Sequence, residues 1–198
     1  MVEDEAGTVT RLLGELDAGN KEAMHTLFPL VYDEVRRLAH QQRRAWHGDF
    51  TLDTTALVHE AYLKLVGSEH VGARTRVHFL GIAAKAMRHI LCSYARERQA
   101  EKRGGAAPKL SLDLLGDAAG AISFSDDQAD ILSALDDALQ RLGAVEPRLS
   151  EVVECRFFGG LTIEDTATAL GSSAATVKRD WALARAWLFH ELADKASA

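Results

Sequence analysis

Gly160-Leu161-Thr162-Ile163-Glu164-Asp165-Thr166-Ala167-Thr168-Ala169-Leu170-Gly171-Ser172-Ser173-Ala174-Ala175-Thr176-Val177-Lys178-Arg179-Asp180-Trp181 is the stretch whose reading decides the fold. Thr162 is a good helix N-cap, and Asp165 stands where a capping box puts its acid. The short helix that follows meets Gly171, the residue best able to turn the chain through a left-handed conformation. A second helix, capped by Ser173, is then expected to run to about Leu188. Two helices joined by a Gly-containing turn make a helix-turn-helix, with Ala167 small at the crossing and Val177 anchoring the second helix on the first. Val177, Trp181, Ala184 and Leu188 fall on one face of that second helix. Thr176, Lys178, Arg179 and Ala182 are left facing out, with Ser173 and Ala175 at its start. A hydroxyl, two cations and a methyl on the first turns of a helix suit a DNA major groove. The alternative is an ordinary helical hairpin with a solvated charged face.

Composition agrees with an all-α chain. Helix formers dominate its 198 residues, with 15 Gly and 3 Pro, and there is no run of alternating β-branched residues long enough for a sheet. Cys92 and Cys155 each lie within an apolar helical pattern without a Cys or His at metal-ligand spacing, so they read as buried hydrophobes in a reducing compartment. An acidic N-terminus argues against a secretory signal, and no apolar run reaches membrane-spanning length. A soluble cytoplasmic protein is the expectation. The net charge of −6 is at first sight wrong for a nucleic-acid binder. Resolved by segment, residues 74–103 hold eight cations against Glu97 and Glu101, whereas residues 111–137 hold seven aspartates and no Lys or Arg. The charges are segregated, and the segregation is more informative than the sum.

From the N-terminus, a first short helix is expected over residues 8–17 and a longer one over 21–46. The apolar positions Met24, Leu27, Phe28, Val31, Tyr32, Val35 and Leu38 of the second keep three- and four-residue spacing. Pro29 within that pattern predicts a kink or local break. His40 and His47 lack the companions of a zinc site. A third helix from Thr54 or Thr55 to Val66 buries Leu57, Val58, Ala61, Tyr62 and Leu65. The fourth, over 78–98, turns Phe79, Ile82, Ala83, Ala86, Met87, Ile90, Leu91 and Tyr94 inward. Lys85, Arg88, His89, Arg96 and Arg98 are expected to face outward, as a surface for a polyanion. Residues 106–130 hold Gly, Ala, Ser and Asp without a period and read as a flexible acidic linker. Helical spacing resumes from Ile131 with Leu132, Leu135, Leu139 and Leu142, and another helix, over 148–157, follows Pro147. The expected architecture is therefore two small helical domains, residues 1–105 and 131–198, joined by that linker, the second being the helix-turn-helix.

Taken in order, these segments resemble the bacterial RNA polymerase sigma factors of the extracytoplasmic-function (ECF) type of the sigma-70 family, over nearly the whole length. Thr55-Ala56-Leu57-Val58-His59-Glu60-Ala61-Tyr62-Leu63-Lys64-Leu65 is similar to the helix with which such factors grip the polymerase clamp. His78-Phe79-Leu80-Gly81-Ile82-Ala83-Ala84-Lys85-Ala86-Met87-Arg88, continuing to Lys102-Arg103-Gly104-Gly105, resembles the helix that opens the −10 element. Residues 152–165 with 174–181 resemble the domain that reads the −35 element. The resemblance implies core RNA polymerase and promoter DNA as partners, and an anti-sigma factor or other regulatory protein as a further one. It implies −35 contacts from Ser173, Ala175, Thr176, Lys178, Arg179 and Ala182, and −10 contacts from Lys85, Arg88, His89, Arg96 and Arg98. Polymerase contacts would come from His59, Glu60, Leu63 and Lys64. No enzyme, cofactor or metal is implied, and no H-E-x-x-H, P-loop or Gly-rich dinucleotide turn is present. The rival reading is a helix-turn-helix regulator that does not act as a polymerase subunit. A last expectation concerns Asp113, Asp117, Asp126, Asp127 and Asp130: on a short tether beside the fourth helix, they should visit its cationic face and partly occlude it.

Overall fold

The computed structural model describes residues 3–44, 46–47, 52–68, 71–101, 124–125 and 129–196, and the fold is all-α. Helix α1 (Glu3–Asp17) buries Val9, Leu12, Leu13 and Leu16, a helical-period stripe. Helix α2 (Ala23–Arg44) lays Met24, Leu27, Val31, Val35 and Leu38 into the same core. The break expected at Pro29 does not occur, since α2 runs through it as one helix. Proline removes one backbone hydrogen bond. Leu27 and Val31, both fully buried, hold the turns on either side of it. Helix α2 stops at Arg44, short of its expected end, and strand β1 (Trp46–His47) pairs in parallel with β2 (Phe124–Ser125). That two-residue ladder is the only strand pairing among the described residues.

Helix α3 (Thr54–Gly67) starts on an Asp53 cap, whose carboxylate accepts the Ala56 N–H at 2.8 Å. Leu57, Val58, Ala61 and Leu65 are its buried face. Helix α4 (Arg76–Glu101) packs Phe79, Ala83, Ala86, Met87 and Leu91 against α2 and α3 and closes the first hydrophobic cluster. Its entry is fixed by Arg76, which donates to Glu34 of α2 at 2.7 and 3.0 Å and to the Leu30 carbonyl at 3.0 Å.

The second cluster belongs to helices α5 (Ala129–Val145), α6 (Pro147–Val153), α7 (Ile163–Ala169) and α8 (Ala174–Ala196). Asp130 therefore stands in α5 rather than in a linker. Asp113, Asp117, Asp126 and Asp127, with Lys102 to Gly105, lie outside the described residues, as does most of the stretch read as a linker. Proline at the start of α6 occupies a position whose N–H has no helical partner anyway. Residues 154–158 then widen into a π-helical turn, where a plain α-helix was expected to Phe157. The Gly159 N–H closes that turn on the Glu154 carbonyl at 2.8 Å. A Cβ at Gly159 would stand 2.6 Å from the Cys155 carbonyl oxygen, so the exit from the turn needs a residue without a side chain.

The two clusters touch through α4. Ala84, fully buried, belongs to the second cluster, while its neighbour Ala83 belongs to the first. Across this contact the Gln42 side-chain amide donates to the carbonyls of Ala84 and Phe158, each at 3.1 Å.

Candidate nucleic-acid interface

Helices α7 and α8 and the turn between them are built as the local sequence dictates. The Thr162 hydroxyl accepts the Asp165 N–H at 3.0 Å and donates to the Asp165 carboxylate at 2.6 Å. Gly171 makes the turn at φ +59°. Ser173 accepts the Thr176 N–H at 3.1 Å, capping α8. Val177, Trp181, Ala184 and Leu188 are all buried, as their spacing predicts, and Ala167 is buried opposite them. Helix α8 continues to Ala196, beyond the expected end near Leu188, with Leu192 extending its buried stripe.

On the opposite side of α8, Ser173, Ala175, Lys178, Arg179 and Ala182 are exposed and Thr176 is half-buried. A buried carboxylate underpins these first turns. Asp180 accepts from Arg148 of α6 at 2.6 Å and from Arg179 at 3.3 Å, and Arg148 also bonds the Ser172 hydroxyl in the turn. Burial opposes the Asp180 charge, but the hydrogen bonds from Arg148 and then Arg179 outweigh it and hold its pKa below the usual value. The Arg179 side chain is 70% exposed, so it leans on Asp180 while remaining open to a ligand.

The polymerase-facing residues inferred for α3 share one exposed face: His59, Glu60, Leu63 and Lys64. Glu60, Leu63 and Lys64 line an open groove of about 510 Å³ with Ile90, Tyr94 and Glu97 of α4. Half of Leu63 is in solvent.

Helix α4 departs from expectation. Lys85 is exposed, and His89 and Arg96 are half-buried; the side chain of Arg98 lies outside the described part. Arg88, expected on the outer face, is only 3% exposed. Its Nε and Nη2 donate to the two carboxylate oxygens of Glu154 at 3.2 and 2.5 Å, and its Nη1 is paired with Asp136 of α5. The Phe158 ring stacks on it at 5.2 Å. Arg96 donates to Ser133, Asp136 and Asp137 at 2.9, 2.8 and 3.0 Å, and His89 Nδ1 is 3.5 Å from Asp136. Burial works against the charge on Asp136, yet the bond from His89, the Arg88 charge and the bond from Arg96 together push its pKa well below the carboxylate range. Burial likewise lowers and Glu154 raises the Arg88 pKa, with a net rise. A buried arginine is tolerated only when its donors are matched, and Asp136 and Glu154 match them.

Two carboxylates and the small residues opposite them thus escaped the sequence reading. The signal for the contact was a second stripe on α4, Gly81, Ala84, Cys92 and Ala95, at helical spacing on the Arg88 side. Small residues let another helix approach closely. For the charges, the signal was the aspartate block itself, of which Asp136 and Asp137 are the last members.

A helix-turn-helix with an open cationic first turn, set beside a helical bundle, defines an all-α protein of the DNA-binding class. The sequence profile of the ECF sigma factor family matches residues 6–194, and the chain belongs to that family, whose members serve transcription initiation with RNA polymerase. No curated protein and no solved structure matches the chain. No helix among the described residues is long and apolar enough to cross a membrane.

Proposed function

We propose that this sigma factor binds core RNA polymerase, directs it to specific promoters and assists strand opening. The observation that carries the proposal is the joint exposure of two separate faces on one chain of this family. These are the α8 start with Lys178 and Arg179, and the α3 face with Glu60 and Leu63. The first has the shape and charge to read duplex DNA. The second is a mixed apolar and charged helix face beside a groove, suited to a helical partner.

In this reading residues 129–198, from the start of α5, form the upstream-reading domain, with Ser173, Ala175, Thr176, Lys178, Arg179 and Ala182 at the −35 element. Residues 1–105 hold polymerase through His59, Glu60, Leu63 and Lys64, and residues 106–128 connect the two. Of the α4 cations, Lys85, His89 and Arg96, with Arg98, contact the separated strand at the −10 element, whereas Arg88 is committed to Glu154 and Asp136. Each domain alone binds weakly, and simultaneous engagement raises the effective concentration of the second contact. Anti-sigma or other regulatory proteins are further partners consistent with the family.

The test is transcription in vitro with core polymerase on a genomic library, paired with co-purification of core enzyme. Promoter-specific transcripts that depend on the chain are expected. Retention of duplex binding without core binding would instead identify a helix-turn-helix regulator that is not a polymerase subunit.

A further inference from the structure

Arg179 is held by a carboxylate that is itself held. Asp180, its neighbour on α8, has a side chain only 4% exposed and divides its two oxygens between two arginines. Its Oδ2 accepts the Arg148 Nε–H at 2.6 Å, and its Oδ1 accepts from Nε and Nη2 of Arg179 at 3.4 and 3.3 Å. Arg148 reaches Asp180 from α6 and also bonds the Ser172 hydroxyl in the turn between α7 and α8. One chain of contacts therefore runs Ser172–Arg148–Asp180–Arg179, from the turn out to the exposed side chain of Arg179. Two cations share one anion, so the group keeps a net positive charge.

The donor count decides which edge of Arg179 this leaves. A guanidinium carries five N–H groups in a rigid fork. Asp180 engages the Nε–H and one N–H of Nη2, which leaves the outer edge formed by Nη1 and Nη2. A pair of parallel donors is what O6 and N7 of guanine accept in the major groove. An unheld arginine gives up rotamer freedom to make that contact, and one already bonded to a buried carboxylate gives up less. We propose that Asp180 and Arg148 are positioning residues for base readout. Arg148 anchors Asp180 from α6, and Asp180 aims the Nη1–Nη2 edge of Arg179 at a guanine. The inference rests on the reading of α8 as the helix that enters the groove, and it adds what makes that helix selective. A bridge that merely tied α6 to α8 would support binding to every duplex alike.

The test uses holoenzyme reconstituted from core polymerase and the full chain. The probes are the duplex that the wild type selects from a randomised library, its single-base variants, and an unrelated duplex. At one guanine of the selected duplex the wild type should prefer the native base by about tenfold or more, and Arg179→Ala should abolish that preference. Replacing that guanine by 7-deazaguanine, which lacks the N7 acceptor, should weaken wild-type binding in the same way. Asp180→Asn keeps the shape of the side chain, removes its charge and puts an amide nitrogen in place of one oxygen. It should cut the preference to about twofold or less, with binding to the unrelated duplex unchanged or higher, since one negative charge has left the DNA-facing end of α8. In the Arg179→Ala background Asp180→Asn should alter the preference no further, because both act through one guanidinium. Arg148→Gln, which unhooks Asp180 from α6, should lower the preference in the same direction.

An unchanged preference in Asp180→Asn overturns the proposal, and so does an equal loss of binding on selected and unrelated duplexes. Should Asp180→Asn fail to fold, judged by its circular dichroism melt, Asp180→Glu keeps the carboxylate but displaces it by one methylene. The same loss of preference is then expected, with unrelated binding intact. If neither variant folds, Asp180 is a structural residue and the positioning role is overturned. A wild type that holds core polymerase yet selects no upstream sequence means that the reading of α8 has failed, and the positioning role falls with it. A wild type that selects a sequence whose every preference survives Arg179→Ala leaves α8 as the reading helix and overturns the positioning role alone.

Discussion

Replacing Arg88 by methionine puts the buried charge cluster to a quantitative test. Methionine keeps the length of the side chain and its contact with Phe158 while deleting the guanidinium. Asp136 would retain Arg96 and His89, but Glu154, whose side chain is 4% exposed, would lose the guanidinium that both its oxygens now hold. Removing one partner of a buried pair typically costs about 3–5 kcal/mol, because the remaining charge stays desolvated. For a chain of this size that is a fall in Tm of roughly 6–20 °C, at about 2–4 °C per kcal/mol. Adding Glu154→Gln should recover much of the loss, since a neutral amide costs less to bury than an unpaired carboxylate. The assay is calorimetric unfolding of the wild type, both single variants and the double variant, read as a double-mutant cycle. The chain can also relieve the stranded carboxylate by separating α4 from α5, so the loss cannot exceed the free energy of that contact. A single transition lowered by the full amount means the two halves melt as one unit. An Arg88→Met loss below about 1 kcal/mol, with no coupling to Glu154, would refute the reasoning, because the buried pair would then contribute nothing beyond a surface ion pair.

Arg179→Ala should weaken upstream promoter binding by about 1–3 kcal/mol and relax specificity at one base; equal loss on every sequence would make it a phosphate contact. Glu60→Lys, on the exposed α3 face, should weaken core polymerase binding in a pull-down while leaving the circular dichroism melt unchanged. Asp136 has its pKa depressed in the folded chain, so its contribution to stability is complete at neutral pH and is lost as pH falls below about 4, the ordinary carboxylate value, toward its lower folded value. Asp136→Asn should accordingly flatten the acid limb of the stability–pH curve, and an unchanged limb would rule that carboxylate out as a contributor.

Much of the fold was legible in the sequence because it is locally determined. Caps at Thr162 and Ser173, the glycine at 171 and the Val177–Trp181–Ala184–Leu188 stripe are short-range signals, and each is realised in α7 and α8. The exposed α3 face followed in the same way from the buried positions Leu57, Val58, Ala61 and Leu65. Arg88 was misread because periodicity assigns one apolar face per helix, and a charged residue off that face defaults to solvent. Helix α4 has two buried faces, one of large apolar residues toward α2 and α3 and one of small residues toward α5. Only the tertiary partners of Arg88, 48 and 66 residues away, decide that it is inside. The π-helical turn was illegible for a related reason. Nothing in Glu154-Cys155-Arg156-Phe157-Phe158 forbids an α-helix, and the widened turn is where Arg88, Gln42 and α4 meet that segment.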